Sequence, residues 1–221
     1  MLFRKSTLPL LLGVSTLADA FVITGLHNRQ SALHGQFTLG NTKIPLSTVD
    51  GAAFVGDSLR SLCSDFGCDE GTTDTVEYVA QFETYGDMKD CTWSLTASGN
   101  YDSTDERDYM INVLTTALTT TADVETITVS IEDNPLCTHQ GQPSCTDKDI
   151  QVTSAVNFGQ VVLNQDDGSN TGQLEYHLSV ECVDSSGFDC PSFVSGNLKD
   201  ILSAVPEVGN IFAQVFDIAC A

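Results

Sequence analysis

The stretch CTWSLTASGNYDSTDERDYMINVLTTALTTTADVETITVSI, Cys91–Ile131, decides how this chain is read. Cys91, Trp93 and Leu95 alternate with polar residues, which predicts a strand with one buried face, and Gly99-Asn100 ends it. Ser103 and Glu106 then form a capping box, with Asp105, Glu106 and Asp108 placed where a helix N-terminus favours negative charge. Tyr109, Met110, Val113, Leu114, Ala117 and Leu118 fall on one face at helical spacing, and the Thr119–Thr121 run closes the helix. Val124–Ile131 alternates again, with Ile127, Val129 and Ile131 on one side. The stretch is therefore a strand–helix–strand unit.

Working outward, Val76, Tyr78, Ala80 and Phe82 predict a preceding strand. The loop 133–149 carries two prolines and a glycine. Ile150–Leu163 reads as one long strand, bulged at Gly159. Asp167-Gly168 marks a hairpin turn in 165–171. Leu174, Tyr176, Leu178, Val180 and Cys182 form the clearest amphipathic strand. Pro191 opens a second helix whose buried stripe is Phe193, Val194, Leu198, Ile201 and Leu202. Ile211–Ile218 closes the pattern as a strand apolar on both faces, hence central or covered.

Two strand–helix–strand units, Cys91–Ile131 and Leu174–Cys220, predict an α+β fold. The expectation is a two-layer split-βαβ, ferredoxin-like sandwich, with an antiparallel sheet and two helices on one face. The expected divisions are a signal peptide over 1–20, an irregular N-terminal β module and linker over 21–74, and the sandwich over 75–221. Phe21–Thr24 and Gln36–Leu39 would be short strands of that appendage, and Ser58–Cys68 a helical turn with a small loop.

Composition narrows the function. Lys and Arg number 9 against 30 Asp and Glu, giving a formal charge of −21 and a pI near 4.1. Phosphate neutralisation needs clustered cations, so nucleic-acid and anionic-membrane partners are disfavoured. Arg4 and Lys5, the apolar Leu8–Val14 and the small-x-small Ala18-Asp19-Ala20 predict a secretory signal cleaved before Phe21. No later segment is long and apolar enough to span a bilayer, so a soluble, extracellular monomer is expected. No Asn-x-Ser/Thr sequon and no dibasic pair beyond Arg4-Lys5 occurs.

After a signal peptide, the eight cysteines Cys63, Cys68, Cys91, Cys137, Cys145, Cys182, Cys190 and Cys220 read as four disulfides. The close-pair gaps are not zinc-ligand spacings. In the ferredoxin-like order the last strand lies beside the first, which pairs Cys220 with Cys91. Cys182 with Cys190, Cys137 with Cys145 and Cys63 with Cys68 complete the set.

No GxSxG, HExxH or SxxK motif is present. His177 shares its strand face with Glu175 and Ser179, but i±2 neighbours stand too far apart for a nucleophile–base contact. Asn164, Asp166, Asp167 and Asn170 carry oxygen ligands without the closing Glu of an EF-hand loop. Trp93 is read as core. No cofactor, metal site or catalytic residue is assigned. Glu175, His177 and Glu181 are the candidate binding residues on an outward sheet face. The acid excess predicts greater stability at mildly acidic than at alkaline pH, where self-repulsion is strongest.

The leader ending in Ala18-Asp19-Ala20, the acidic Thr/Ser/Gly-rich body and the eight cysteines resemble fungal small secreted cysteine-rich proteins. The paired units over Val76–Ala221 resemble the α/β sandwich of fungal killer toxins and of plant-pathogen effectors built like them. The toxins are often cut at dibasic sites, which the expected mature part lacks. The resemblance implies a non-enzymatic effector or toxin that binds an extracellular protein or cell-surface component of a host or competitor. Phe21–Leu46 is similar to the N-terminal part of secreted fungal cell-wall proteins, which implies a structural or antigenic wall protein. A small secreted hydrolase is the third reading.

Overall fold

A computed structural model describes residues 33–81, 88–131, 146–181, 186–194, 198–209 and 211–221. The expected signal peptide lies outside them, as do Cys137, Cys145 and Cys182. Ser31–Ala221 form one compact unit.

The strand, helix and strand of Cys91–Ile131 each form as elements, but the two strands enter different sheets, so they make no βαβ unit of a single sheet. β4 (Met88–Tyr101) buries Cys91, Trp93, Leu95 and Ala97 on one face. Ser103 caps α2 (Thr104–Thr121), its Oγ accepting from the Glu106 amide. The Glu106 carboxylate reaches back one residue beyond the cap, accepting from the Asp102 amide at 2.8 Å. The helix ends at Thr121, within the Thr run as expected, and Thr115, Thr119 and Thr120 donate their hydroxyls to carbonyls one turn back. β5 (Asp123–Ile131) follows.

The remaining elements are β1 (Leu33–Leu39), β2 (Thr42–Ser47), α1 (Gly51–Leu62), β3 (Thr73–Gln81), β6 (Thr146–Val156), β7 (Phe158–Asn164), β8 (Asn170–Val180), β9 (Ser186–Gly187), α3 (Cys190–Val194), α4 (Leu198–Ser203) and β10 (Ala213–Cys220). They build a six-stranded sheet in the order β10-β1-β7-β8-β4-β3 and a four-stranded sheet in the order β5-β6-β2-β9. The fold is α+β, strand-rich, with a mixed larger sheet. Helices α1 and α2 cover its inner face, where Trp93, Leu95, Val161, Leu174 and Tyr176 meet Met110 and Leu114. Ile44, Leu46, Ala155 and Val156 of the smaller sheet join the same core.

The ferredoxin-like strand order does not form. β10 lies beside β1, parallel to it, and β4 lies between β3 and β8. Nor is β10 central: it is an edge strand, with Ala213 and Phe216 buried and most of its other residues exposed. The N-terminal stretch is not an appendage. β1 runs between β10 and β7, β2 belongs to the smaller sheet, and α1 packs on α2. Gly35 permits this, because a Cβ there would overlap the Phe216 ring that lies across it.

Ile150–Leu163 is not one bulged strand. It breaks at Asn157 and changes sheet. The Asn157 amide donates to Thr42 O of the smaller sheet at 2.9 Å, while its carbonyl accepts from the Leu178 amide of the larger one at 2.7 Å. One residue thus satisfies its two backbone groups in two different sheets.

Disulfides follow the observed topology. Cys63–Cys68 forms as expected. Cys190 joins Cys220, which replaces both the Cys91–Cys220 and the Cys182–Cys190 expectations. The physical reason is the position of β10. At the β1 edge its end is remote from β4 and close to the start of α3. Cys91 is disulfide-bonded as well. The Cys137–Cys145 expectation lies outside the described residues.

Candidate binding face

Among the described residues, helices cover one face of the larger sheet. Alternation sends the other side chains outward: Thr92, Ser94, Thr96 and Ser98 from β4, Gln173, Glu175, His177 and Ser179 from β8, and Phe158, Gln160 and Val162 from β7. Hydroxyls and amides dominate this surface, and it is flanked by Gln36 and Thr38 of β1 and Thr73 and Thr75 of β3.

The register brings a compact cluster to its middle. Gln160 stands opposite Glu175, and Phe158 opposite His177, while Thr96 faces His177 from the other side. Gln160 Nε2 donates to Glu175 Oε2 at 2.6 Å. His177 Nε2 lies 3.9 Å from Glu175 Oε1, and its ring packs on Phe158 with centroids 4.7 Å apart. Glu175 is thus braced from two sides. The His177 side chain remains 60% exposed, which leaves it free to meet a ligand. Ser179 turns away from His177, its hydroxyl pointing to Ser94 O at a long 3.5 Å.

Of the three residues the sequence singles out, Glu175 and His177 share this cluster. Glu181 does not: it is exposed just past the end of β8, about 20 Å from Glu175 at the rise of an extended chain, and only its amide continues the ladder, to Thr92 O. Phe158 and Gln160 are the members that sequence reasoning missed. The signal for them was present in the Asp167-Gly168 turn. A hairpin closed there fixes which residues of its two arms face each other, and places Phe158 and Gln160 against His177 and Glu175.

The other acidic candidates are committed locally. Asp167 accepts from the Ser169 amide and hydroxyl, which lowers its carboxyl below the usual range. Asp166 faces His34 at 3.8 Å. Among the described residues, no group of three His, Cys, Asp or Glu side chains is arranged to hold a metal ion. A separate groove of about 340 Å³ lies between the start of α1, the end of α2 and β6. Its carboxylate, Asp50, is occupied in capping α1 through the Ala52 and Ala53 amides.

No helix among the described residues is long and apolar enough to cross a membrane. Comparison with protein-family models, curated proteins and solved structures finds no match to this chain.

Proposed function

We propose that this chain is a secreted, non-enzymatic effector or toxin-like protein. It acts outside the cell by binding a host or competitor surface component through the open face of its larger sheet. The observation that carries the reading is the Phe158–Gln160–Glu175–His177 cluster, set in a field of outward Ser, Thr and Gln side chains. A ring flanked by fixed donors and acceptors suits a neutral, hydroxyl-rich ligand such as a cell-surface polysaccharide. Such a ligand can pair every hydroxyl without bringing charge. The formal charge of −21 argues in the same direction, since polyanions would be repelled. Export is supported by the Arg4-Lys5, Leu8–Val14 and Ala18-Asp19-Ala20 pattern and by the disulfides Cys63–Cys68 and Cys190–Cys220.

The test is co-sedimentation and calorimetry with purified chitin, β-glucan and mannan, comparing wild type with H177A, Q160A and T96V. Retention of wild type on one polymer, weakened about tenfold by H177A and Q160A, supports the reading. Retention that survives all three substitutions, or no retention on any polymer, refutes it.

A further inference from the structure

The six residues Cys63–Cys68 form a loop built with unusual care around a side chain that the fold does not use. The disulfide closes it, and the Ser64 amide donates to Gly67 O at 2.8 Å. Ser64 O accepts from the Tyr101 hydroxyl at 2.5 Å and from Arg107 Nη1, which also reaches Cys63 O at 3.2 Å. The Cys68 amide donates to Gly99 O and the Asp69 amide to Leu62 O, so both ends are stitched to β4 and α1. At the tip stands Phe66, 77% exposed. Among the described residues it is the most exposed of the large hydrophobic side chains, whereas Phe37 and Phe216 are fully buried.

We propose that this loop presents Phe66 as an aromatic anchor to a protein partner whose receiving pocket is apolar and rimmed by Lys or Arg. An aromatic side chain carried on a backbone already ordered before binding has less entropy to lose on contact, and aromatic anchors dominate interface energetics. The charge around Phe66 specifies the partner. Asp65 precedes it in the loop, and Asp69 and Glu70 follow the loop, all three exposed. Asp69 also accepts from the Gly71 amide and Thr72 hydroxyl, and Glu70 from the Ser98 hydroxyl. The nearby cation, Arg107, faces inward to the loop carbonyls and to Asp108 at 2.9 Å. Exposed carboxylates on and just after the loop, in a chain of formal charge −21, attract a basic rim and repel a second copy of this chain. The same carboxylates disfavour anionic lipid. This docking element is independent of the polar sheet face.

A phage-displayed random dodecapeptide library, panned on the purified chain, supplies the probe. The expected result is enrichment of peptides that combine apolar residues with Lys or Arg. Their binding should weaken at least about tenfold on F66S, weaken less on D65N, and survive F66W. Because Phe66 is exposed, F66S should melt within about 2 °C of wild type, which separates lost docking from lost folding. The proposal is overturned if the enriched peptides lack basic residues or bind F66S equally, or if panning enriches nothing. It is equally overturned if Phe66 instead drives dimerisation in sedimentation or partition into phosphatidylcholine vesicles.

Discussion

Removing the Cys190–Cys220 bridge tests the observed topology most directly. The bridge spans 30 residues and links the start of α3 to the end of β10, the edge strand held against β1. The Cys63–Cys68 bridge spans only five residues. By the loop-entropy relation, opening the first releases about 3.6 kcal/mol of restraint on the unfolded chain, and opening the second about 2 kcal/mol. For a chain of this size the first loss lowers Tm by roughly 7–14 °C and the second by roughly 4–8 °C. C190A/C220A and C63A/C68A, each removed as a pair so that no thiol is stranded, can be compared by urea unfolding. The single tryptophan, Trp93, is fully buried and reports the transition by its emission. Non-reducing peptide mapping of wild type should recover the Cys190–Cys220 peptide. If mapping instead recovers Cys91–Cys220 or Cys182–Cys190, the placement of β10 beside β1 is wrong. The reasoning also fails if C63A/C68A proves the more destabilised variant.

Three further outcomes follow from buried groups. Burial raises the Glu106 carboxyl above its ordinary pKa, so its contribution to stability is full while protonated and fades as pH rises from the unfolded value through the raised one. E106Q cannot ionise, and its urea midpoint relative to wild type should improve as pH rises from the ordinary carboxylate range through the raised value; a constant or falling difference would count against this. Tyr109 is fully buried and its hydroxyl accepts from the Ala213 amide at 2.9 Å, so Y109F leaves an amide at the start of β10 without its acceptor and should cost about 1–3 kcal/mol in denaturant unfolding. G35A should destabilise by about 1–3 kcal/mol through overlap with Phe216, with partial recovery in G35A/F216L; equal stability of G35A and wild type would show that the ring does not lie across β1.

Local signals in the sequence were sound where a single segment settles its own structure. The Ser103/Glu106 capping box announces α2, the alternation from Leu174 announces β8, and Asp167-Gly168 turns one arm into the next with Gly168 at φ +83°. The last turn of α1 and the loop after it match the turn and loop expected over Ser58–Cys68, whereas its earlier turns escaped notice because Gly51 and Gly56 lower helix propensity, although Asp50 is a good cap. The second glycine has a packing reason, since a Cβ there would crowd the Thr115 methyl of α2. What could not be read was strand partnership across long stretches of chain. Nothing near Leu33 states that it faces Ala213, and nothing near Asn157 states that its amide and carbonyl serve different sheets. Of the candidate face, Glu175 and His177 were legible from alternation alone. Phe158 and Gln160 required the register of the hairpin to be followed through.

The parallel pairing of β1 with β10 also sets an order of events in time. On a ribosome, the chain emits β1 first among the described strands and β10 last, with every other described element between them. The larger sheet therefore keeps an open edge along β1 until synthesis has passed residue 220, and the Cys190–Cys220 bridge cannot close before the same point. The Cys63–Cys68 knot has no such delay. Contacts this distant in sequence make folding slow and leave an unpaired strand edge exposed to other chains in the meantime. Maturation is thus governed by β10, and truncation only a few residues short of Cys220 should yield aggregation and not a smaller folded product.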